Sequence, residues 1–143
     1  MAKGGSYERE IAKILSLWWS DGINDNIFYR SDSSGARFTQ RRKSGKDTIN
    51  QAGDLTFSDP SGEPLINNWN IEIKTGYSGK SKVKDSKGND KIIFSRWDVL
   101  DIVDSSQKEP VLLTMWKQCK RDAGLTNRIP VLIFRRNGRK SCI

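Results

Sequence analysis

Glu72, Ile73 and Lys74, taken with Gly53 and Asp54 upstream, are the residues whose types and spacing could do chemistry. The run from Trp69 to Lys74 alternates like a β-strand, so Ile71 and Ile73 share one face and Glu72 and Lys74 the other. The run from Asp54 to Phe57 alternates in the same way, with Leu55 and Phe57 inward and Asp54 on the outer face. Neighbouring strands in this phase bring Asp54, Glu72 and Lys74 together. Two carboxylates about 4 Å apart repel by roughly 4 kcal/mol at an effective dielectric near 20. A fold keeps such a pair when something cationic offsets it, and a divalent metal beside a lysine does so. The same equipment cuts phosphodiesters, because a bound ion polarises the phosphate and lowers the pKa of water. Asp54 and Glu72 would be the ligands of Mg2+, with Mn2+ able to substitute, since hard cations take oxygen donors and keep several waters. Lys74 would orient the attacking water or stabilise developing negative charge. Glu8 could reach the same cluster from the first helix and bind a second ion.

The chain contains no histidine, which removes Ser-His-Asp and Cys-His catalysis and zinc sites of the Cys/His type. Proton transfer is left to carboxylates, lysine, tyrosine or metal-bound water. Lys and Arg total 25 against 17 acids, and the resulting net charge of +8 favours a polyanionic partner. With 143 residues, a single domain spanning 1–143 with one core is expected. No apolar stretch approaches the length that spans a bilayer, and Met1 to Gly5 lacks the apolar segment of a signal peptide. These features predict a protein of the cytoplasm with no membrane partner. Cys119 and Cys142 match no metal spacing, so a reduced structural Cys119 on a helix and an exposed Cys142 are expected.

The elements that must position the acids can be read along the chain. Ser6 is a plausible N-cap for a helix from Tyr7 to about Trp19, with Ile11, Ile14, Leu15 and Trp18 as its buried stripe. Glu8 and Glu10 also suit the first turn of that helix as partners of its dipole. Asp21-Gly22 ends it, and Ile27 to Tyr29 reads as a short strand leading into Arg30 and Ser31. From Asp32 to Ala52 the chain is polar and carries Arg37, Arg41, Arg42, Lys43 and Lys46. A basic segment of this length without periodicity suits phosphate contact, with a solvated insertion as the plainer alternative. Asp59-Pro60-Ser61-Gly62 is a turn signal that would make 55–57 and 71–74 antiparallel neighbours. Thr75 to Lys91 would extend the strand and then fray into a loop. Ser95 and Asp98 resemble a capping box for a helix through about Val103. Pro110 opens another helix, with Leu112, Leu113, Trp116, Cys119 and Ala123 as its stripe and Gly124 as its stop. Ile129 to Phe134 is a last buried strand, and Asn137-Gly138 a tight turn into a C-terminal edge. The pattern is that of an α/β fold with a central mixed β-sheet flanked by helices.

Gly53-Asp54 with Glu72-Ile73-Lys74 resembles the core signature of the PD-(D/E)XK nucleases, with Gly in place of Pro before the aspartate. The chain is most similar to the archaeal-type Holliday junction resolvases. Lys3 to Ile11, with its Glu8-Arg9-Glu10 triplet, resembles their opening helix. Phe28 to Ser31 resembles the strand that follows, and Arg128 to Phe134 a later strand. The resemblance implies a restriction-endonuclease-like core and a Mg2+-dependent endonuclease working as a symmetric homodimer on DNA. It implies Glu8, Asp54, Glu72 and Lys74 as the catalytic set, with the carbonyl of Ile73 as a further metal ligand. It also implies that Arg30 and the serines after it, Ser31 and Ser34, lie near the scissile phosphate. The basic stretch between Ser31 and Asp54 is longer than the resolvases have, which bears on substrate preference more than on chemistry.

Taken alone, Glu72-Ile73-Lys74 is explained by an exposed strand face carrying an ion pair. Combined with Asp54 in phase, the positive charge and the order of segments, it points to hydrolysis of DNA phosphodiester bonds, with branched DNA such as Holliday junctions as the leading substrate. A nuclease of the same chemistry acting on ordinary duplex or single strands is one alternative. A non-catalytic basic DNA-binding module is the other.

Overall fold

The computed structural model describes residues 3–31, 53–77, 80–94, 111–136 and 138–143. In chain order these form α1 (Lys3–Trp19), β1 (Phe28–Arg30), β2 (Leu55–Phe57), a 3-10 turn (Pro60–Gly62), α2 (Glu63–Asn68), β3 (Trp69–Tyr77), β4 (Lys80–Lys84), β5 (Asp90–Phe94), α3 (Val111–Gly124), β6 (Ile129–Arg136) and β7 (Ser141–Cys142). The expected basic segment from 32 to 52, with Ser34, Arg37, Arg41, Arg42, Lys43 and Lys46, lies outside the described residues, as does the expected helix from Ser95 to Val103.

The fold is α/β. β3 pairs with β6 in parallel, with Ile71 opposite Val131 and Ile73 opposite Ile133, and β7 adds antiparallel to β6, giving a mixed sheet. A parallel pair needs a long crossover, and α3 lies within it. Strand alternation then divides the sheet's two faces. Ile71, Ile73 and Ile133 pack with Tyr7 and Ile11 of α1 and with Phe28, Leu55 and Ile66. On the other side, Leu132 packs with Leu112, Met115 and Cys119 of α3. Helices thus flank the mixed sheet on both faces. Among the described residues, no helix is long and apolar enough to cross a membrane.

Several elements differ from the sequence expectation. α1 begins at Lys3, so Ser6 lies inside the helix rather than capping it, and Glu8 and Glu10 fall beyond its first turn. Buried Gly5 is helical and packs beside the Arg30 guanidinium, where a Cβ would make ordinary contact at 3.5 Å. The buried face is also rotated. Ile14 and Trp18 are 54% and 60% exposed, whereas Tyr7, Ile11, Ala12 and Ser16 are buried. Ser16 decides this phase. Its hydroxyl donates to Ala12 O and accepts from the Ile27 and Phe28 N–H groups at 3.1 and 2.9 Å, docking the helix onto β1. In α3, likewise, Met115 and Asp122 join Leu112, Cys119 and Ala123 in the buried set, while Leu113 and Trp116 are half-buried.

β2 and β3 are not antiparallel ladder neighbours. β2 pairs with β1, Phe28 opposite Phe57 and Arg30 opposite Leu55. The Asp59 segment is not a hairpin turn: the Asp59 carboxylate accepts from the Ser61 N–H at 2.9 Å and starts the 3-10 turn that runs into α2. Burial of Leu65 and Ile66 holds that helix. The described residues after Thr75 form strands rather than a frayed loop. β3 continues to Tyr77, and β4 and β5 form an antiparallel hairpin closed by Asp85, whose carboxylate accepts from the Lys87 and Asn89 N–H groups. The turn at Gly138 (φ 73) joins β6 to the short edge β7, as expected.

Candidate active site

Gly53 and Asp54 reach β3 by a close backbone approach. Gly53 has φ 87, and a Cβ there would lie 2.7 Å from Ile71 O and 3.1 Å from Ile71 N. Glycine alone fits both the left-handed conformation and the contact. Asp54 then takes the place of a strand partner on the edge of β3. Its N–H donates to Ile71 O at 2.8 Å, and its Oδ2 accepts from the Ile73 N–H at 2.7 Å. Ser31 fixes the corner from the other side: its N–H donates to Asp54 O at 2.9 Å and its hydroxyl to Gly53 O at 2.8 Å. Asp54 is therefore buried rather than on an outer face, and Thr56 beside it is buried too.

Glu72 is only 3% exposed and lies on the α3 side of β3, paired with the ammonium of Lys74. The acids feel one another. Asp54 is pushed from 3.8 to about 7, first by burial and then by the Glu72 charge. The Ile73 N–H and Lys74 act against that rise, and the Glu8 charge adds to it. All four residues of the expected catalytic set thus belong to one electrostatic neighbourhood. Glu8 is half-buried at its edge and pairs with Arg30, which is exposed. Glu10 points elsewhere, to Arg135 at 2.8 Å, whose guanidinium stacks 4.1 Å over the Tyr7 ring. Of the two acids in the triplet, the structure therefore gathers Glu8 and separates Glu10. The Ile73 N–H faces the Asp54 edge, and a residue's carbonyl leaves a strand on the same side as its N–H, so the Ile73 carbonyl faces that edge as well.

Cys119 is a free thiol, fully buried on α3, and pushed up to about 12 by burial and by the charges of Glu72 and Asp122. Its burial on a helix is as expected, and Cys142 is exposed. Of the expected phosphate-side residues Arg30, Ser31 and Ser34, Arg30 is exposed, Ser31 is buried as the scaffold of the Asp54 corner, and Ser34 lies outside the described residues.

Among the described residues, no three His, Cys, Asp or Glu side chains form a ready-made cage for a metal ion. Two buried carboxylates with an adjacent carbonyl nevertheless suit a hard cation that retains water, the coordination habit of Mg2+. A residue that sequence reading overlooked completes this face. Asn70, two positions before Glu72, is fully buried, and neither polar atom of its amide is hydrogen-bonded among the described residues. The signal was present in the alternation, since Asn70, Glu72 and Lys74 form a polar series at every second position.

No family model, curated protein or solved structure matches this chain.

Proposed function

We propose that the protein is a divalent-cation-dependent endonuclease that hydrolyses DNA phosphodiester bonds, with branched DNA as its leading substrate. One observation carries the reading: Asp54 is buried and hydrogen-bonded along the edge of β3 beside buried Glu72, in spite of their mutual repulsion. Structural ion pairs do not need two acids so placed, and a site built to grip a cation does. The order α1, β1, β2, β3, α3, β6, with β3 and β6 parallel, is compatible with a restriction-endonuclease-like core and supports the resemblance to the PD-(D/E)XK nucleases.

Asp54 and Glu72 would hold the ion, with the Ile73 carbonyl on the same edge, and Glu8 would act from the rim. Bound there, a divalent ion supplies charge neutralisation on the phosphate and a more acidic water. Lys74, held by Glu72, presents an ammonium where negative charge develops. Arg30 at the exposed rim and the basic segment before Gly53 would draw in the phosphate backbone. Action as a homodimer fits a two-fold symmetric junction.

The test is incubation with a labelled four-way junction and with linear duplex, with and without Mg2+. Cleavage confined to the junction in Mg2+ is expected. Equal cleavage of both would assign a general nuclease, and binding without cleavage in Mg2+ or Mn2+ would assign a DNA-binding module.

A further inference from the structure

Asn70 stands on β3 two residues before Glu72 and four before Lys74, so the three side chains leave the same face of the strand. It is 0% exposed, and neither Nδ2 nor Oδ1 has a hydrogen-bond partner among the described residues. A buried amide with both ends unpaired is uncommon in folded proteins, and such groups mark a bound water, an ion or a functional role. Its position narrows the choice. Oδ1 lies 3.4 Å from the point where a Cβ on Gly53 would stand, so the amide is tucked under the turn that delivers Asp54. The amide thus reaches from β3, which carries Glu72, to the turn that carries Asp54. Its register partner on β6 is Pro130, and the next β6 residue on that face is Leu132, so packing alone would favour an apolar residue here.

We infer that Asn70 is a positioning residue of the cation site, its amide holding a hydration water of a divalent ion gripped by Asp54 and Glu72. The inference rests on the cation reading given above. A neutral amide suits this role because it offers an acceptor and donors to water without adding a third negative charge to a pair that already repels. Mg2+ keeps several of its waters, and groups that orient them act as outer ligands.

The experiment uses the full chain as wild type, Asn70→Leu and Asn70→Asp. It reads two quantities: the melting temperature without divalent ion, and Mn2+ affinity from the electron paramagnetic resonance signal of the free ion. Asn70→Leu removes two unpaired polar atoms and should raise the metal-free Tm by roughly 2–8 °C. The same variant should weaken Mn2+ binding about 10- to 100-fold. A merely structural amide would not lower ion affinity while stabilising the fold. Asn70→Asp should tighten Mn2+ binding and lower the metal-free Tm. Wild-type affinity in Asn70→Leu would overturn the inference and leave the cation site standing. Failure of the wild-type protein to bind Mn2+ would overturn both. If Asn70→Leu lacks a folded near-ultraviolet circular dichroism spectrum, Asn70→Ser carries the same affinity measurement: weakening supports the role and an unchanged value overturns it.

Discussion

The Asp54 carboxylate accepts a 2.7 Å hydrogen bond from the Ile73 N–H, so a side chain stands where a neighbouring strand's carbonyl would stand on the edge of β3. The acid is fixed by backbone geometry rather than by a flexible ion pair. Asp54→Asn keeps an oxygen for that bond and removes the charge that opposes Glu72. The variant should lose cleavage, retain or tighten DNA binding, and melt higher than wild type at pH 8. Glu72→Gln should behave alike. Asp54→Ala, by contrast, strands the Ile73 N–H and should destabilise the fold by about 1–3 kcal/mol. Cleavage assays and urea denaturation of the three variants check this, and normal cutting by Asp54→Asn or Glu72→Gln would place the site elsewhere.

The burial that raises Asp54 from 3.8 to about 7 also sets a pH dependence. Between those values the folded chain holds a proton that the unfolded chain has released. Stability from that proton is complete below the lower value, declines as pH rises through the window, and is lost above the upper one. Without divalent ion, the slope should approach about 1.4 kcal/mol per pH unit at its steepest. Mg2+ should reverse the loss at pH 8, where Asp54 is ionised, and do little at pH 5. Melting curves at both pH values with and without Mg2+ measure it. A stability that rises between pH 5 and 8 in the absence of Mg2+ would contradict the burial.

Gly53 and Gly138 both have positive φ, at 87 and 73, but their surroundings differ. A Cβ on Gly53 meets the Ile71 backbone at 2.7 Å, while one on Gly138 meets nothing within 4 Å among the described residues. Gly138→Ala therefore carries only the conformational strain, about 1 kcal/mol. Gly53→Ala adds a collision with backbone that cannot give way, so its effect should exceed about 2 kcal/mol and it should also lose cleavage through displacement of Asp54. Chemical denaturation of the two variants side by side separates strain from contact.

The acids were legible because strand alternation needs only a short window: Glu72 and Lys74 fall on one face and Ile71 and Ile73 on the other, as the pattern from Trp69 requires. The ends of the site were less so. A turn signal at Asp59 does not say whether a hairpin or a helix follows, and burial of Leu65 and Ile66 decided for α2. That choice moved β3 away from β2 and gave it β6 as a parallel partner, a long-range pairing that local pattern does not encode. Asn70 was passed over for a related reason. A polar residue in a strand reads as solvated, and only the fold, which sets it against Gly53, shows that it is enclosed.

The positive charge of the segment from 32 to 52 can be tested directly. Neutralising Arg41, Arg42 and Lys43 together should weaken DNA binding and flatten its salt dependence by about 0.9 log units per lost phosphate contact on duplex. Titrations of binding against salt concentration read the slope directly. An unchanged slope would mean that these residues do not touch the backbone.

The rotated face of α1 makes the last prediction, and it concerns how the helix that carries Glu8 is held. Ile11 is buried against Ile71 and Ile73, whereas Ile14, three residues on, is 54% exposed. The periodicity of the sequence treats the two as equivalent, and the hydroxyl of Ser16, bonded to the Ile27 and Phe28 N–H groups, separates them by fixing the helix rotation. Ile11→Ala should destabilise the protein by about 2–5 kcal/mol through lost burial and the cavity left behind. Ile14→Ala should stay within about 0.5 kcal/mol, as surface substitutions do. Because Glu8 reaches the acidic pair only from this rotation, Ser16→Ala should both destabilise the fold and weaken whatever Glu8 contributes to cleavage. Equal effects at Ile11 and Ile14 would mean that α1 presents its other face to the sheet, and Glu8 with it would turn away from Asp54.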